Sequence, residues 1–325
     1  MVEGRAKIVL TRRWPHVVEE RMAQLGELVR NDADRPLSSR ELREALTTAD
    51  VVCPTVTDDL SSGMFARGDV RVQLLANFGV GFNHIDLAAA SACRIQVSNT
   101  PGVLTDATAE LALTLMLMSA RRAGEGERLV RAGAWEGWYP THMLSTQVTG
   151  KTVGIVGMGR IGTAFARKAF HGLGMRILYC NRTGVDQSIS LELEAERVAF
   201  KDLLERADFV SLHCPATAQT RHMMDERAFR LMQPHAHLIN TARGDVLDEP
   251  ALVNALVQGQ IAGAGVDVYE REPELAAGLA QLEQVVVLPH MGSGTTETRE
   301  AMGMCAVANV QAFLAGEALP NPVLP

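Results

Sequence analysis

Cysteines are few in this sequence, and their arrangement argues against a disulfide framework. The five are widely spaced, and none belongs to a CxxC pair: Cys53, Cys93, Cys180, Cys214 and Cys305. An odd number at such spacing is typical of free thiols in a reducing compartment. The Cys and His residues also lack metal-ligand spacing, so we expect no metal.

Long hydrophobic runs are also missing. The longest apolar stretch, from Leu111 to Met118, is interrupted by Thr114 and is too short to cross a bilayer. No continuous apolar segment, such as a secretion signal requires, precedes the polar residues 11–13. We therefore expect a cytoplasmic protein with no membrane partner.

The sequence has no surplus of positive charge. Its formal net charge is -7 and its Lys and Arg residues are scattered, so nucleic acid is not an expected partner.

The sequence has no low-complexity tract, and 47% of its residues are hydrophobic, which is typical of a folded protein. A chain of 325 residues exceeds the usual size of one hydrophobic core, so two domains are expected.

Short apolar segments rich in β-branched residues alternate with helix-like segments along the chain. Strands that are apolar on both faces are typical of parallel sheets covered by helices, so the predicted fold class is α/β. The predicted strands are Lys7–Thr11, Val51–Thr55, Gln73–Phe78, Thr152–Val156, Ile177–Cys180, Phe209–His213, His237–Asn240, Gly263–Val268 and Val285–Leu288. Residues 104–118 have apolar residues at helical spacing and are predicted to form one long buried helix.

A glycine-rich turn follows the fourth predicted strand and opens an Ala-rich helix. Gly157, Gly159 and Gly162 match G-x-G-x-x-G, in which the glycines permit a tight turn, close approach to a pyrophosphate, and close helix packing. The start of the following helix offers free N–H groups to the phosphates. A turn without a ligand can have the same spacing, but the strand before it and the helix after it favour a dinucleotide site.

The residues after the next strand indicate which dinucleotide binds. An NAD site usually has Asp or Glu there for the ribose hydroxyls, whereas this chain has Asn181, Arg182 and Thr183. Without the carboxylate a 2′-phosphate is not repelled, and the Arg182 guanidinium offers donors that match phosphate oxygens. NADP(H) is the predicted preferred cofactor, with NAD(H) possible at lower affinity. The alternative is that Arg182 is a solvated turn residue.

Three polar residues, Arg243, Glu272 and His290, each come shortly after a later predicted strand. The carboxyl ends of parallel strands face a common ligand crevice. Hydride transfer to a 2-oxo acid needs a cation for the carboxylate and a proton donor for the developing alkoxide. Arg243 can hold the carboxylate, and His290 can donate the proton if an anion such as Glu272 favours the imidazolium. Alternatively each has an ordinary role, such as Arg243 pairing with Asp245 or Asp248.

Several segments together form a specific pattern: Asn77-Phe-Gly-Val80-Gly81-Phe-Asn-His-Ile-Asp86, Asn99-Thr-Pro-Gly-Val-Leu-Thr-Asp106-Ala-Thr108-Ala-Glu110, the glycine turn, Ile239-Asn-Thr-Ala-Arg243-Gly-Asp and Pro289-His290. This pattern, from about Val51 to the C-terminus, resembles the D-isomer-specific 2-hydroxyacid dehydrogenase family, and within it the glyoxylate/hydroxypyruvate reductase branch. Ala242 stands where the family commonly has serine, and His84 where it commonly has asparagine.

The resemblance implies two doubly wound parallel-sheet domains, with a Rossmann cofactor domain inserted into a flavodoxin-like substrate domain. Residues 1–102 and 291–325 would form the substrate domain, and residues 103–290 the dinucleotide-binding domain. The implied activity is NADPH-dependent reduction of glyoxylate or hydroxypyruvate to glycolate or D-glycerate. The implied partners are a small 2-oxo or 2-hydroxy acid and a second copy of the chain in a homodimer.

The same resemblance implies roles for individual residues. Arg243, Glu272 and His290 would be catalytic, and the backbone N–H groups of Val80 and Gly81 would bind the substrate carboxylate together with Arg243. The full set of candidate cofactor-binding residues is Thr108, Gly157, Gly159, Arg160, Ile161, Gly162, Asn181, Arg182, Thr183, Pro215, Thr220, Thr241, Ala242, Asp267 and Gly292.

Trp138 would reach the substrate from the neighbouring subunit, again by resemblance. The alternative is that Trp135 and Trp138 anchor a loop within their own chain.

Two other functions are compatible with the same residues. A reductase for a bulkier 2-oxo acid, such as phenylpyruvate or 2-oxogluconate, would share the catalytic groups, because the sequence does not show the size of the pocket. A corepressor-like protein that senses the dinucleotide without turnover would share the fold.

Overall fold

The structure is a computed structural model that describes residues 5–65 and 70–324. The chain divides into two compact units, residues 1–104 with 293–325, and residues 105–292, where the predicted boundaries are 102 and 290. Each unit has one sheet, and the neighbouring strands in both sheets pair in parallel. The predicted fold class, α/β with two parallel-sheet domains, is confirmed.

Within residues 5–65 and 70–104, the first unit has five short strands and three α-helices. The strands are β1 (Lys7–Leu10), β2 (Glu27–Val29), β3 (Val51–Cys53), β4 (Leu74–Ala76) and β5 (Gln96–Ser98). The helices are α1 (His16–Leu25), α2 (Ser39–Thr48) and α3 (Leu87–Ala92). The strand order β2-β1-β3-β4-β5 is the flavodoxin-like order.

Capping side chains explain where two of these helices begin. Ser38 and Glu41 form a capping box at α2, in which each side chain accepts a hydrogen bond from the backbone N–H of the other residue. Asp86 caps α3 by accepting a hydrogen bond from the N–H of Ala89. Both signals are local, so the sequence itself determines these helix starts.

The second unit contains seven strands and seven helices among its described residues. The strands are β6 (Thr152–Val156), β7 (Arg176–Cys180), β8 (Glu196–Arg197), β9 (Phe209–Leu212), β10 (His237–Asn240), β11 (Gly263–Val266) and β12 (Val285–Val287). The helices are α4 (Thr105–Ala120), α5 (Ala123–Arg131), α6 (Arg160–Leu173), α7 (Gln187–Glu192), α8 (Phe200–Arg206), α9 (Glu226–Leu231) and α10 (Glu249–Val257). Helix α11 (Thr296–Ala315) then returns to the first unit, where it packs on α1 and β4.

The sheet of the second unit has the strand order β12-β11-β10-β9-β6-β7-β8. The chain moves outward from β6 in one direction through β7 and β8, and in the other through β9 to β12. This reversal is the topological switch of a Rossmann sheet, and ligands bind such sheets beyond the carboxyl ends of the strands. The glycine turn directly follows β6, at this switch.

Every predicted strand overlaps an observed one, and the predicted helix over 104–118 corresponds to α4. The sequence patterns miss β2, β5 and β8, which are all edge strands. These strands have only two or three residues; those of β2 and β8 are exposed or partly exposed, and β5 has one exposed residue, Gln96, before two buried ones. An edge strand is covered on fewer sides, so it does not need the continuous apolar run by which the central strands are recognised.

His237, the first residue of β10, makes the stability of the second unit depend on pH. Its side chain is buried, its Nδ1 lies 2.9 Å from the Ser119 hydroxyl, and its ring stacks on Phe209. Burial, with a smaller contribution from the charge of His235, lowers the pKa of His237 from its usual 6.5 to about 4. Between these values the unfolded chain binds a proton that the folded chain does not, so stability falls as the pH falls.

We predict that His237 alone removes about 2 kcal/mol of stability between pH 7 and pH 5, and that His237→Gln removes this component. Urea unfolding followed by circular dichroism at both pH values measures the difference. His16→Gln, at an exposed position, is the control. An unchanged pH dependence in His237→Gln would contradict the prediction.

Candidate active site

Three neighbouring parallel strands place the predicted catalytic side chains at one edge of the sheet. Arg243 follows β10, Glu272 follows β11, and His290 follows β12. The strands β10, β11 and β12 are adjacent and parallel, so their carboxyl ends lie side by side. The strand order therefore explains why these three residues lie at one edge of the sheet, as the sequence predicted.

His290 and Glu272 form a hydrogen-bonded pair. The Nδ1 atom of His290 lies 2.7 Å from Oε2 of Glu272, and the backbone N–H of His290 donates to the carbonyl of Asp267 at 2.9 Å. His290 has a φ of +52°, a left-handed conformation that a non-glycine residue adopts only when its surroundings hold it there. With Nδ1 directed at the carboxylate, Nε2 is the ring nitrogen left to exchange a proton with a ligand.

The electrostatics of Glu272 connect it to both other residues. Burial raises the pKa of this carboxyl, but the hydrogen bond and charge of His290, the N–H of Tyr269 and the charge of Arg243 together lower it below its usual 4.5. Glu272 is therefore a carboxylate at neutral pH. The Glu272 carboxylate therefore places a negative charge beside Nδ1 of His290.

Among the residues that the structure describes, no carboxylate forms a surface ion pair with the Arg243 side chain. Asp245 pairs instead with Arg221 at 3.0 Å, and the Asp248 side chain caps α10 by accepting from the N–H of Ala251 at 3.0 Å. Burial lowers the pKa of Arg243, and Glu272 opposes this effect. A guanidinium stays charged in proteins, so Arg243 is a partly buried cation suited to an anionic ligand.

Asp267 anchors the segment that carries His290. Its carboxylate is almost fully buried, and its two oxygens accept hydrogen bonds from the N–H groups of Met291 and Gly292, both at 2.8 Å. Burial raises the pKa of Asp267, and these N–H donors act in the opposite direction. A carboxylate oxygen can accept a further hydrogen bond, so these contacts are compatible with the predicted one between Asp267 and a nicotinamide. That contact stays a prediction.

Glu249 holds the segment that carries Glu272, and sequence reasoning did not identify it. Its buried carboxylate accepts hydrogen bonds from the N–H groups of Glu270 at 2.6 Å and Ala276 at 3.1 Å. The only sequence signal is Asp248-Glu249-Pro250, which reads as an ordinary helix start. Two backbone donors from a distant loop cannot be recognised in that pattern.

The glycine turn has the geometry that a dinucleotide pyrophosphate requires. Gly157 has a φ of +94°, and a Cβ atom there would lie 2.6 Å from the backbone nitrogen of Cys214; a Cβ on Gly162 would lie 2.6 Å from the Gly157 carbonyl oxygen. A Cβ on Gly159 would meet nothing within 4 Å, which leaves the backbone open to a ligand. No described side chain caps α6, so the first-turn N–H groups, including those of Arg160 and Ile161, suit an anion.

Asn181, Arg182 and Thr183 directly follow β7. The Asn181 side chain faces the glycine turn, where its Oδ1 accepts from the N–H of Met158 at 2.6 Å and its Nδ2 donates to the Met158 carbonyl at 3.3 Å. Arg182 and Thr183 are exposed. The Nη2 of Arg197 donates to the carbonyls of Asn181 and Arg182, which brings a second cation to this strand end.

The other candidate cofactor residues lie near the same strand ends. Thr108 on α4 is buried and donates to the carbonyl of Gly292 at 3.1 Å. Pro215 follows β9, and its carbonyl accepts from the Thr220 hydroxyl at 2.6 Å. Thr241 and Ala242 follow β10, and the Thr241 hydroxyl is a buried group without a hydrogen-bond partner among the described residues.

Val80, Gly81 and Trp138 lie outside this set. Val80 and Gly81 belong to the first unit, in the loop after β4, where both are partly exposed. Trp138 lies in the irregular segment between α5 and β6 and is 79% exposed. Within residues 5–65 and 70–324, no His, Cys, Asp and Glu residues cluster as metal ligands, and no helix is long and apolar enough to cross a membrane.

Comparison with known proteins gives consistent matches. Residues 113–292 match the family model for the NAD-binding domain of D-isomer specific 2-hydroxyacid dehydrogenases. The glyoxylate reductase of Thermococcus litoralis is 45% identical over 286 residues, 87% of this chain and 86% of that protein.

Solved structures resemble the chain over almost its whole length. The TT0316 protein of Thermus thermophilus has a TM-score of 0.89 and 38% identity, with 98% of this chain and 100% of that chain covered. The NADPH-dependent glyoxylate/hydroxypyruvate reductase of Sinorhizobium meliloti, in complex with NADP and malonate, has a TM-score of 0.86 and 32% identity, with 98% and 97% covered.

Proposed function

The chain belongs to the D-isomer specific 2-hydroxyacid dehydrogenase family, and we propose that it reduces glyoxylate and hydroxypyruvate with NADPH, giving glycolate and D-glycerate. The observation that carries this proposal is the pairing of His290 with Glu272, 2.7 Å apart, within the electrostatic influence of Arg243. A proton donor, its counter-ion and a cation for a carboxylate are the groups that reduction of a 2-oxo acid needs from a protein.

Each of the three side chains has one task in this proposal. Arg243 binds the substrate carboxylate with its guanidinium donors and so fixes the position of the adjacent carbonyl carbon. His290 donates a proton from Nε2 to the carbonyl oxygen as negative charge develops there, and Glu272 stabilises the imidazolium before the transfer. A bound nicotinamide dinucleotide would supply the hydride, and the glycine turn with the start of α6 would hold its pyrophosphate.

The preference for NADPH is supported by the residues after β7. No carboxylate stands among Asn181, Arg182 and Thr183, and Arg182 is an exposed cation with Arg197 beside it. Two guanidinium groups can bind a 2′-phosphate that the 2′-hydroxyl of NADH does not have. The similar Sinorhizobium meliloti reductase is described as NADPH-dependent.

We also propose a cytoplasmic homodimer. The five free cysteines are compatible with a reducing compartment. Trp135, Trp138 and Tyr139 expose large aromatic surfaces in the segment between α5 and β6, which is unusual without a binding partner. In the dimer we place Trp138 against the substrate of the neighbouring subunit.

A panel of 2-oxo acids tests the proposed substrate. We expect the highest kcat/KM for glyoxylate and hydroxypyruvate, with NADPH preferred over NADH, when absorbance at the nicotinamide band is followed. Phenylpyruvate and 2-oxogluconate as the best substrates would indicate a reductase for bulkier acids. Tight NADPH binding with no turnover of any acid would indicate a dinucleotide sensor.

Arg182→Ala tests the cofactor preference. Charged hydrogen bonds contribute about 1.5–3 kcal/mol each, so NADPH affinity should fall about 10- to 100-fold while NADH affinity stays nearly constant. Fluorescence titration with each dinucleotide measures both. Arg176→Ala, an exposed arginine at the opposite end of β7, is the matched control. Equal losses for the two dinucleotides would contradict the assignment.

Glu272→Gln tests the proton-donating pair. Because the lowered pKa of Glu272 keeps it anionic throughout the neutral range, the variant replaces the negative charge beside His290 with a neutral amide of the same shape. We expect kcat for glyoxylate reduction to fall about 10-fold or more, because a positioned proton donor contributes about 10²- to 10⁴-fold, while NADPH affinity stays within about twofold. Glu274→Gln, an exposed residue of the same segment, should leave both values unchanged. An unchanged kcat, or an equal loss of NADPH affinity, would argue against the pair.

A further inference from the structure

The loop after β4 has three consecutive carbonyl groups that accept hydrogen bonds from the side chains of Asn77 and Asn99. Asn77 Nδ2 donates to the carbonyls of Gly79 at 3.1 Å and Gly81 at 3.0 Å. Asn99 Nδ2 donates to the intervening carbonyl of Val80 at 2.9 Å, and the N–H of Thr100 donates to Gly79 at 3.0 Å. These three carbonyls therefore point toward two side-chain amides.

The opposite ends of these peptide groups must then point away from the two asparagines. In a trans peptide the C=O of one residue and the N–H of the next are directed oppositely. The N–H groups of Val80, Gly81 and Phe82 are thus directed away from the amides that bind the preceding carbonyls, and all three residues are partly exposed. Successive N–H groups directed to one side form a concave anion-binding surface.

His84 contacts the oxygen of the Asn77 amide. Its Nε2 lies 3.0 Å from Oδ1 of Asn77. Because Nδ2 of Asn77 donates to two carbonyls, Oδ1 must accept, and His84 must carry a proton on Nε2. A reversed amide would direct its oxygen at two carbonyl oxygens and lose the His84 donor, so the two carbonyls and His84 together favour one orientation of Asn77. Asn77 is almost completely buried, which makes the unpaired alternative costly.

We propose that Asn77, Asn99 and His84 are positioning residues for the substrate carboxylate. They act through the backbone of residues 79–82 rather than by touching the substrate, and they set the direction of the N–H groups of Val80, Gly81 and Phe82. The inference rests on the proposed function, because the anion that these N–H groups would bind is the carboxylate of the 2-oxo acid proposed above. It adds a third N–H donor and the side chains that orient all three.

Asn99→Ala is the first test. It removes the donor to the Val80 carbonyl, so the following N–H of Gly81 is no longer held in place. We expect KM for glyoxylate to rise about 3- to 10-fold, the effect of one neutral hydrogen bond, with kcat and NADPH affinity changed by less than about twofold. Gln96→Ala, an exposed amide on β5 three residues earlier, is the matched control. Parallel losses in kcat, KM and NADPH affinity would mean a general structural role and would overturn the proposal.

A binding measurement separates this proposal from the proposed activity. Oxalate, a two-carbon acid that is not reduced, is titrated into the NADP-bound protein while the amide ¹H–¹⁵N resonances of Val80, Gly81 and Phe82 are followed. We expect all three to shift in the unmodified protein, and the oxalate Kd to rise about 3- to 10-fold in Asn99→Ala. Shifts without glyoxylate turnover would remove the proposed substrate and leave the positioning residues. Unresponsive amides at saturating oxalate would overturn the positioning proposal itself.

A pair of His84 variants keeps the test decisive if Asn99→Ala does not fold. His84→Gln retains an N–H donor that can reach Asn77 Oδ1, whereas His84→Leu has similar bulk and no donor. We expect His84→Leu to raise KM for glyoxylate and the oxalate Kd about 3- to 10-fold, and His84→Gln to restore both to within about twofold of the unmodified protein. Equal values for the two variants would contradict the role of His84.

Discussion

Parallel pairing of β10, β11 and β12 is the constraint on which the site depends. Adjacent parallel strands end at the same edge, so residues far apart in sequence meet there without any direct sequence relation. Arg243, Glu272 and His290 each lie in the connection that follows one of these strands. The sheet core supplies the rigidity, and the connections supply the chemistry, which is the usual division of roles in α/β proteins.

Two buried carboxylates restrict the conformation of these connections. Glu249 and Asp267 each accept two backbone N–H groups from the segments that carry Glu272 and His290. A buried carboxylate is costly unless hydrogen bonds compensate it, so each one restricts its segment to the few conformations that supply the donors. The left-handed backbone of His290 is tolerated within this restriction. The catalytic pair is thereby held at hydrogen-bonding distance before any ligand arrives.

The sequence predicted best those features that depend on neighbouring residues. The glycine turn could be identified because strand, turn and helix are consecutive, and the central strands because they are apolar on both faces. The edge strands β2, β5 and β8 were missed because they have only two or three residues each and contain polar residues, so none forms a continuous apolar run. The roles of Glu249 and Asn77 were not predicted, for another reason. Their hydrogen-bond partners are backbone groups of loops, and no pattern of side chains in the sequence indicates which backbone group a buried polar atom will bind.

Two of the predicted cofactor-binding residues use their polar atoms to bind other parts of the protein. The polar atoms of Asn181 contact the glycine turn, and those of Asp267 contact the His290 segment, although both were predicted to bind the dinucleotide. Such residues can shape a site without touching its ligand. Their direct contacts stay predictions, as does the placement of Trp138 in a homodimer.

The most direct test of the account is a crystal structure of the protein with NADP and oxalate bound. We expect one oxalate carboxylate within hydrogen-bonding distance of the Arg243 guanidinium, and His290 Nε2 in contact with an oxygen at the position of the 2-oxo group. Oxalate bound away from both side chains, or Arg243 and His290 directed at different ligands, would contradict it.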